Sequence, residues 1–227
     1  MRKIEFITSD IYLYHIYNRG VDKRNIFLEN DDYVRFIHDL FEFNDTRPAR
    51  EFSRAKNIII DQEKRKLKVE ILAFCLMPNH FHLLLKQKED RGIKEFMHKI
   101  GTGYTMYFNR KNKRSGVLFQ GRFKAKLIDN EPYFKYMPHY IHANALDLFQ
   151  SDWREQSIKN IKQALEFLKK YRWSSCSDYL GKKNFQSVIS KNFIDSMWGN
   201  SEHYQQDLEE YIKNRDMWEA EPPTYLG

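Results

Sequence analysis

Residues 68–86 read KVEILAFCLMPNHFHLLLK. Two apolar runs flank Met77-Pro78-Asn79, and proline removes a ladder donor, so this segment predicts two strands joined by a tight turn. The first, residues 68–76, is apolar enough to be buried. The second begins at His80, where side chains alternate between faces. His80 and His82 therefore emerge together while Phe81 turns to the core. Two neutral imidazoles on one face form half of a metal site, although a His-x-His pair alone is a weak signal.

Working outward, residues 11–17 (IYLYHIY) predict a strand ending at Asn18-Arg19-Gly20. Residues 31–43 predict a helix from the spacing of Val34, Ile37, Leu40 and Phe41, with Asn30 and Asp31 as candidate caps. Residues 46–66 are polar and predict a loop or ragged helix end. Downstream, residues 92–109 predict a helix that Gly101 and Gly103 weaken. Residues 117–128 predict a strand pair, or one strand bent at Gly121. Residues 131–145 predict a helix containing Pro138. The order β-α-β-β-α-β predicts an α+β, ferredoxin-like antiparallel sheet with the third strand central. Residues 157–170 predict an amphipathic helix, and 171–180 a compact aromatic loop. We expect one domain over residues 1–180 and a helical C-terminal extension over 181–227, acidic around Glu202–Glu221.

The chain of 227 residues carries a net charge of +7, with 41% hydrophobic and 30% charged residues. That is a globular composition, and the basic balance favours a polyanionic partner. Cys75 and Cys176 are far apart and form no disulfide framework or metal motif, so a reduced, cytoplasmic protein is expected. No apolar run is long enough to cross a membrane. Residues 96–128 contain eight Lys and Arg and no Asp or Glu. These are Lys99, Arg110, Lys111, Lys113, Arg114, Arg122, Lys124 and Lys126, with phenylalanines and tyrosines between them. Charge that follows a backbone and rings that stack on bases suit single-stranded nucleic acid. Arg19, beside Gly20, is a further candidate for close approach.

Tyr140 and Asn144 lie at i and i+4, on one face of the predicted helix. A tyrosine hydroxyl beside a phosphate polarised by a metal can act as a nucleophile. The Asn144 amide oxygen could complete a mixed nitrogen and oxygen site for Mg²⁺ or Mn²⁺. Tyr133, Tyr136, His139 and His142 share the segment and are rival candidates.

Five strings together, YHIYNRG (14–20), CLMPNHFHLLL (75–85), FNRKNKRSGVLFQGRFKAKLID (108–129), YIHANAL (140–146) and YRWSSCSDYLG (171–181), resemble the REP-associated tyrosine transposases. These are domesticated relatives of the single-tyrosine HUH transposases. The resemblance covers roughly residues 12–215, with a weaker similarity in MWGNSEHYQQDLEEYI (197–212). It implies metal ligation by His80, His82 and Asn144, and nucleophilic attack by Tyr140. It implies a Mg²⁺ or Mn²⁺ cofactor, and single-stranded, hairpin-forming repeat DNA as the partner of a monomer or homodimer. Arg19, Arg110, Lys111, Lys113, Arg114, Gln120, Arg122, Lys124 and Lys126 are the expected DNA-binding residues. The expected product is a 5′-phosphotyrosine with a free 3′-hydroxyl, formed without ATP. Two departures stand out. The family's Asn-Pro is Asn144-Ala145 here, and Pro138 either kinks the helix or marks its true start. The alternatives are a hairpin DNA- or RNA-binding protein without catalysis and, more weakly, a hydrolytic zinc enzyme, for which no HExxH or cysteine set is present.

Overall fold

The computed structural model describes residues 12–47 and 65–214. Much of the expected 46–66 loop lies outside them. Four strands, β1 (Leu13–Arg19), β2 (Val69–Met77), β3 (His80–Gln87) and β4 (Lys124–Ile128), form one antiparallel sheet in the order β2-β3-β1-β4. With α1 (Asn30–Glu42) between β1 and β2, and α2 (Gly92–Lys111) between β3 and β4, this is the expected ferredoxin-like arrangement. β3 is central.

The two sheet faces are covered differently. Phe81 points to the face under α1 and α2, where its ring lies 5.1 Å from Phe36, which in turn lies 5.0 Å from Tyr104. The helices α1 and α2 approach closely because residue 103 has no side chain. A Cβ there would stand 2.7 Å from Phe43. The opposite face carries His15, Tyr17, His80 and His82 and is covered by α3 (Glu131–Ala143). A 3₁₀ turn, Asn144–Leu148, follows. Next come α4 (Ile161–Lys170), the short α5 (Cys176–Tyr179), α6 (Lys191–Trp198) and α7 (Ser201–Lys213).

Several local expectations are corrected. The buried stripe of α1 is Tyr33, Phe36, Ile37 and Leu40, whereas Val34 is exposed. Its cap is Glu29, closed into a capping box by Asp32, rather than Asn30 or Asp31. Residues 117–123 form no strand pair: Phe119 makes only an isolated bridge to Gly20, and β4 starts at Lys124. Pro138 does not mark the start of α3. The helix begins at Glu131, where the Asn130 side chain accepts from the Tyr133 amide, and it runs through Pro138. The C-terminal segment packs onto the core: Tyr204 and Tyr211 of α7 are buried against α3, and Tyr204 meets His142. Cys75 and Cys176 are free and buried. Among the described residues no helix is long and apolar enough to cross a membrane.

Candidate functional site

The β2–β3 turn is anchored before it presents anything. The Pro78 carbonyl accepts from the Ile26 and Phe27 amides, and the Asn79 carbonyl accepts from Gly20 N at 2.8 Å. A Cβ on Gly20 would stand 2.3 Å from the Arg24 carbonyl oxygen, so glycine permits this closure. His80 follows directly. The Asn79 amide Nδ2 donates to the Lys23 carbonyl, which leaves its Oδ1 to accept from His80 Nδ1 at 2.6 Å. His80 Nε2 therefore carries a lone pair.

His82, two residues on, has its ring 5.0 Å from that of His80. Its Nδ1 meets His15 Nε2 at 2.9 Å, and His15 Nδ1 is buried without a partner. With the proton of this bond on His82 Nδ1, His82 Nε2 is also a lone-pair donor. Burial, and secondarily Arg19, pull His80 down to about 4. Burial, then His80, lower His82 well below its ordinary value. Burial, then Lys126, bring His15 down to about 3. All three imidazoles are neutral at neutral pH, the form that ligates metals. Among the described residues no group of three or more His, Cys, Asp or Glu could hold a metal ion.

Tyr140 of α3 supplies the neighbouring group. Its ring lies 5.9 Å from His82, edge-on, and 5.7 Å from His15. Tyr136, one turn earlier, stacks at 5.7 Å. Tyr140 is only 3% exposed, so a substrate phosphate can reach it only if covering side chains move. Asn144 caps the helix. Its Nδ2 donates back to the Tyr140 carbonyl at 2.7 Å, which turns Oδ1 outward, where Arg154 Nη2 donates to it at 3.0 Å. An amide oxygen has a second lone pair, so this contact leaves Asn144 able to ligate. His80 Nε2 and Asn144 Oδ1 carry available lone pairs, and His82 Nε2 joins them in the tautomer with its proton on Nδ1.

Of the rivals on α3, Tyr136 shares the Tyr140 stack, and the other three have partners of their own. Both nitrogens of His142 are occupied, by Tyr204 Oη at 2.5 Å and Ser175 Oγ at 2.7 Å. His139 stacks on Tyr204 at 4.8 Å. Tyr133 lies under the Lys126 ammonium at 4.9 Å.

The basic residues divide. Arg19 pairs with His80 in the sheet register, Lys124 with Tyr17 and Lys126 with His15, so these three share the face of the histidine pair. Gln120 and Arg122 are exposed in the segment before β4, where Arg122 lines a groove with Asn18, Phe81 and α2 residues on the other side of the sheet. Arg110 and Lys113 are exposed at the C-terminal end of α2, on the other side of the sheet. Lys111 is committed to internal carboxylates, bonding Asp32 at 2.6 Å and also Glu29. Arg114 holds the turn after α2 through Asn109 and, at 2.9 Å, the Val117 carbonyl. Sequence reasoning missed His15 and Arg154. The strand register would have flagged His15, but Arg154 sits in a loop with no local signal.

Residues 49–144 match the family model of IS200-like transposases. The matched stretch spans His80, His82 and Tyr140 and ends at Asn144. The resemblance to the single-tyrosine transposases stands. No curated protein matches the chain. Among solved structures, a REP-associated tyrosine transposase bound to a REP hairpin is similar at 12% identity and a TM-score of 0.43. That similarity covers 84% of this chain and 90% of the other.

Proposed function

We propose that this protein is a transposase that cleaves and rejoins single-stranded, hairpin-forming repeat DNA, with Tyr140 as nucleophile. The observation that carries the reading is the convergence of Tyr140 on His82, with rings 5.9 Å apart, beside a second imidazole whose Nε2 is a lone-pair donor. Tyr140 Oη attacks the scissile phosphorus, the P–O3′ bond breaks, and a 5′-phosphotyrosine forms. The phenolic proton leaves to solvent, and the departing 3′-oxygen takes one up. One phosphodiester-type bond replaces another, so no ATP is required. His80, His82 and Asn144 would hold Mg²⁺ or Mn²⁺, which supplies Lewis acidity at the phosphate when bound. His15 positions His82 by accepting from its Nδ1. Arg19, Lys124 and Lys126 track the DNA backbone along the same face.

The second reading is a hairpin binder without cleavage, and the burial of Tyr140 favours it. A labelled single-stranded hairpin, incubated with Mg²⁺ or Mn²⁺ and run on a denaturing gel, separates the two. A covalent protein–DNA band, lost in Tyr140→Phe, supports the transferase. Tight binding with no such band supports the binder.

A further inference from the structure

One residue contacts Asn144 and faces the ring of Tyr140. Arg154 lies in the loop after the 3₁₀ turn and is partly buried, its side chain 27% exposed. Its Nη2 donates to Asn144 Oδ1 at 3.0 Å, and its Nε donates to Asp147 Oδ1 at 3.1 Å. Its Cζ stands 5.9 Å from the centre of the Tyr140 ring and 4.8 Å from that of Trp153. Asp147 is itself oriented by the Trp153 indole N–H at 2.7 Å.

A fixed cation in that place is an electrostatic problem unless an anion joins it. A guanidinium repels a divalent ion held by His80, His82 and Asn144, and it withdraws electron density from the amide oxygen they would share. Asp147 neutralises it on one side only. An anion lying between the guanidinium and the metal ligands would remove the conflict. Arginine carries five N–H donors, and the two partners above leave three for such an anion. A planar fork of this kind matches two oxygens of a phosphate.

We propose that Arg154 is a catalytic residue that binds the non-bridging oxygens of the phosphate attacked by Tyr140. It would stabilise the extra negative charge that develops there in the transition state. The role rests on the transferase reading of the site.

The test uses the full chain and a hairpin oligonucleotide, with either a normal phosphate or an uncharged methylphosphonate at the cleavage position. Affinities are measured for Tyr140→Phe alone and for Tyr140→Phe with Arg154→Met, so that no cleavage intervenes. If the guanidinium touches that phosphate, methylphosphonate weakens binding to the first protein and has little further effect on the second. Equal weakening in both proteins would overturn the proposal. In the cleaving background, Arg154→Met should lower the single-turnover rate about 10²–10³-fold, as for other lost transition-state donors. Mn²⁺ affinity, read by electron paramagnetic resonance on the free protein, should stay the same or rise. A fall in Mn²⁺ affinity with an unchanged methylphosphonate effect would assign Arg154 to bracing Asn144 instead. Arg154→Lys, which keeps the charge without the fork, should retain the melting temperature and recover part of the rate. Should the unmodified protein form no covalent adduct, the transferase reading falls, while the binding comparison still decides the contact.

Discussion

Tyr140 and its two histidine neighbours owe their chemistry to what holds their other atoms. Asn79 fixes the His80 tautomer, His15 engages His82 Nδ1, and the Asn144 amide is tied to the Tyr140 carbonyl. His80→Ala or His82→Ala should abolish cleavage and leave hairpin affinity nearly unchanged, because affinity rests on phosphate contacts. A gel-shift titration beside a cleavage assay checks this, and normal cleavage in either variant would refute the metal assignment. His15→Phe keeps bulk and removes the acceptor. It should weaken Mn²⁺ binding by roughly 10–100-fold, the range for lost partners of ligating histidines. Calorimetric titration of Mn²⁺ reads that loss, and an unchanged affinity would make His15 a packing residue only. The His80 and His82 pair was legible in the sequence because a period of two needs no tertiary information. His15 and Arg154 were not, because their roles depend on strand register and on where a loop returns.

At the scale of single elements, α1 depends on Asp32. This carboxylate accepts from the Leu28 and Glu29 amides, from Tyr107 Oη and from Lys111, inside a fully buried setting. Burial alone would raise its pKa, but the hydrogen bonds led by Lys111 win and lower it. A depressed folded pKa stabilises the fold above the unfolded value near 3.9. That contribution is lost as pH falls through the folded value. Asp32→Asn should therefore be less stable at pH 7, with a melting temperature that changes less as pH drops below about 4. A pH dependence as steep as that of the unmodified protein would contradict this. Gly103→Ala places a methyl 2.7 Å from Phe43 and should destabilise by about 1–3 kcal/mol in urea unfolding, the range for overpacking. Sequence periodicity located α1 and α2 and put Ile37 and Leu40 on the inner face of α1, but placed Val34 there and left out Tyr33 and Phe36. Val34 and Tyr33 are both apolar enough to be buried, and the stacking of Tyr33 on Phe27, at 4.4 Å, and on Trp173, at 4.6 Å, decides between them. Likewise the apolar residues at 117–119 suggested a strand, yet Leu118 and Phe119 are buried without a full ladder.

For the whole molecule, Arg19, Lys124 and Lys126 lie on the sheet face that α3 covers, while Arg110, Lys113 and Arg122 lie on the α2 side. The double variant Arg122→Ala/Lys124→Ala should bind hairpin DNA more weakly and lower the slope of log affinity against log salt by about 0.7 per lost contact. An unchanged slope would move the DNA path elsewhere. The C-terminal helices contribute from the outside: α7 packs on α3, and Tyr204 satisfies one nitrogen of the buried His142. The chain's basic excess announced a polyanion, but the arrangement that brings Tyr140 to His82 follows from α3 crossing a sheet whose strands are distant in sequence. The most direct test of that arrangement is mass spectrometry of the protease-digested covalent protein–DNA adduct, formed with a single-stranded repeat hairpin and Mn²⁺. The nucleotide is expected on the peptide containing Tyr140, with fragment ions placing it on that residue. A nucleotide on Tyr133, Tyr136 or any other residue would contradict it.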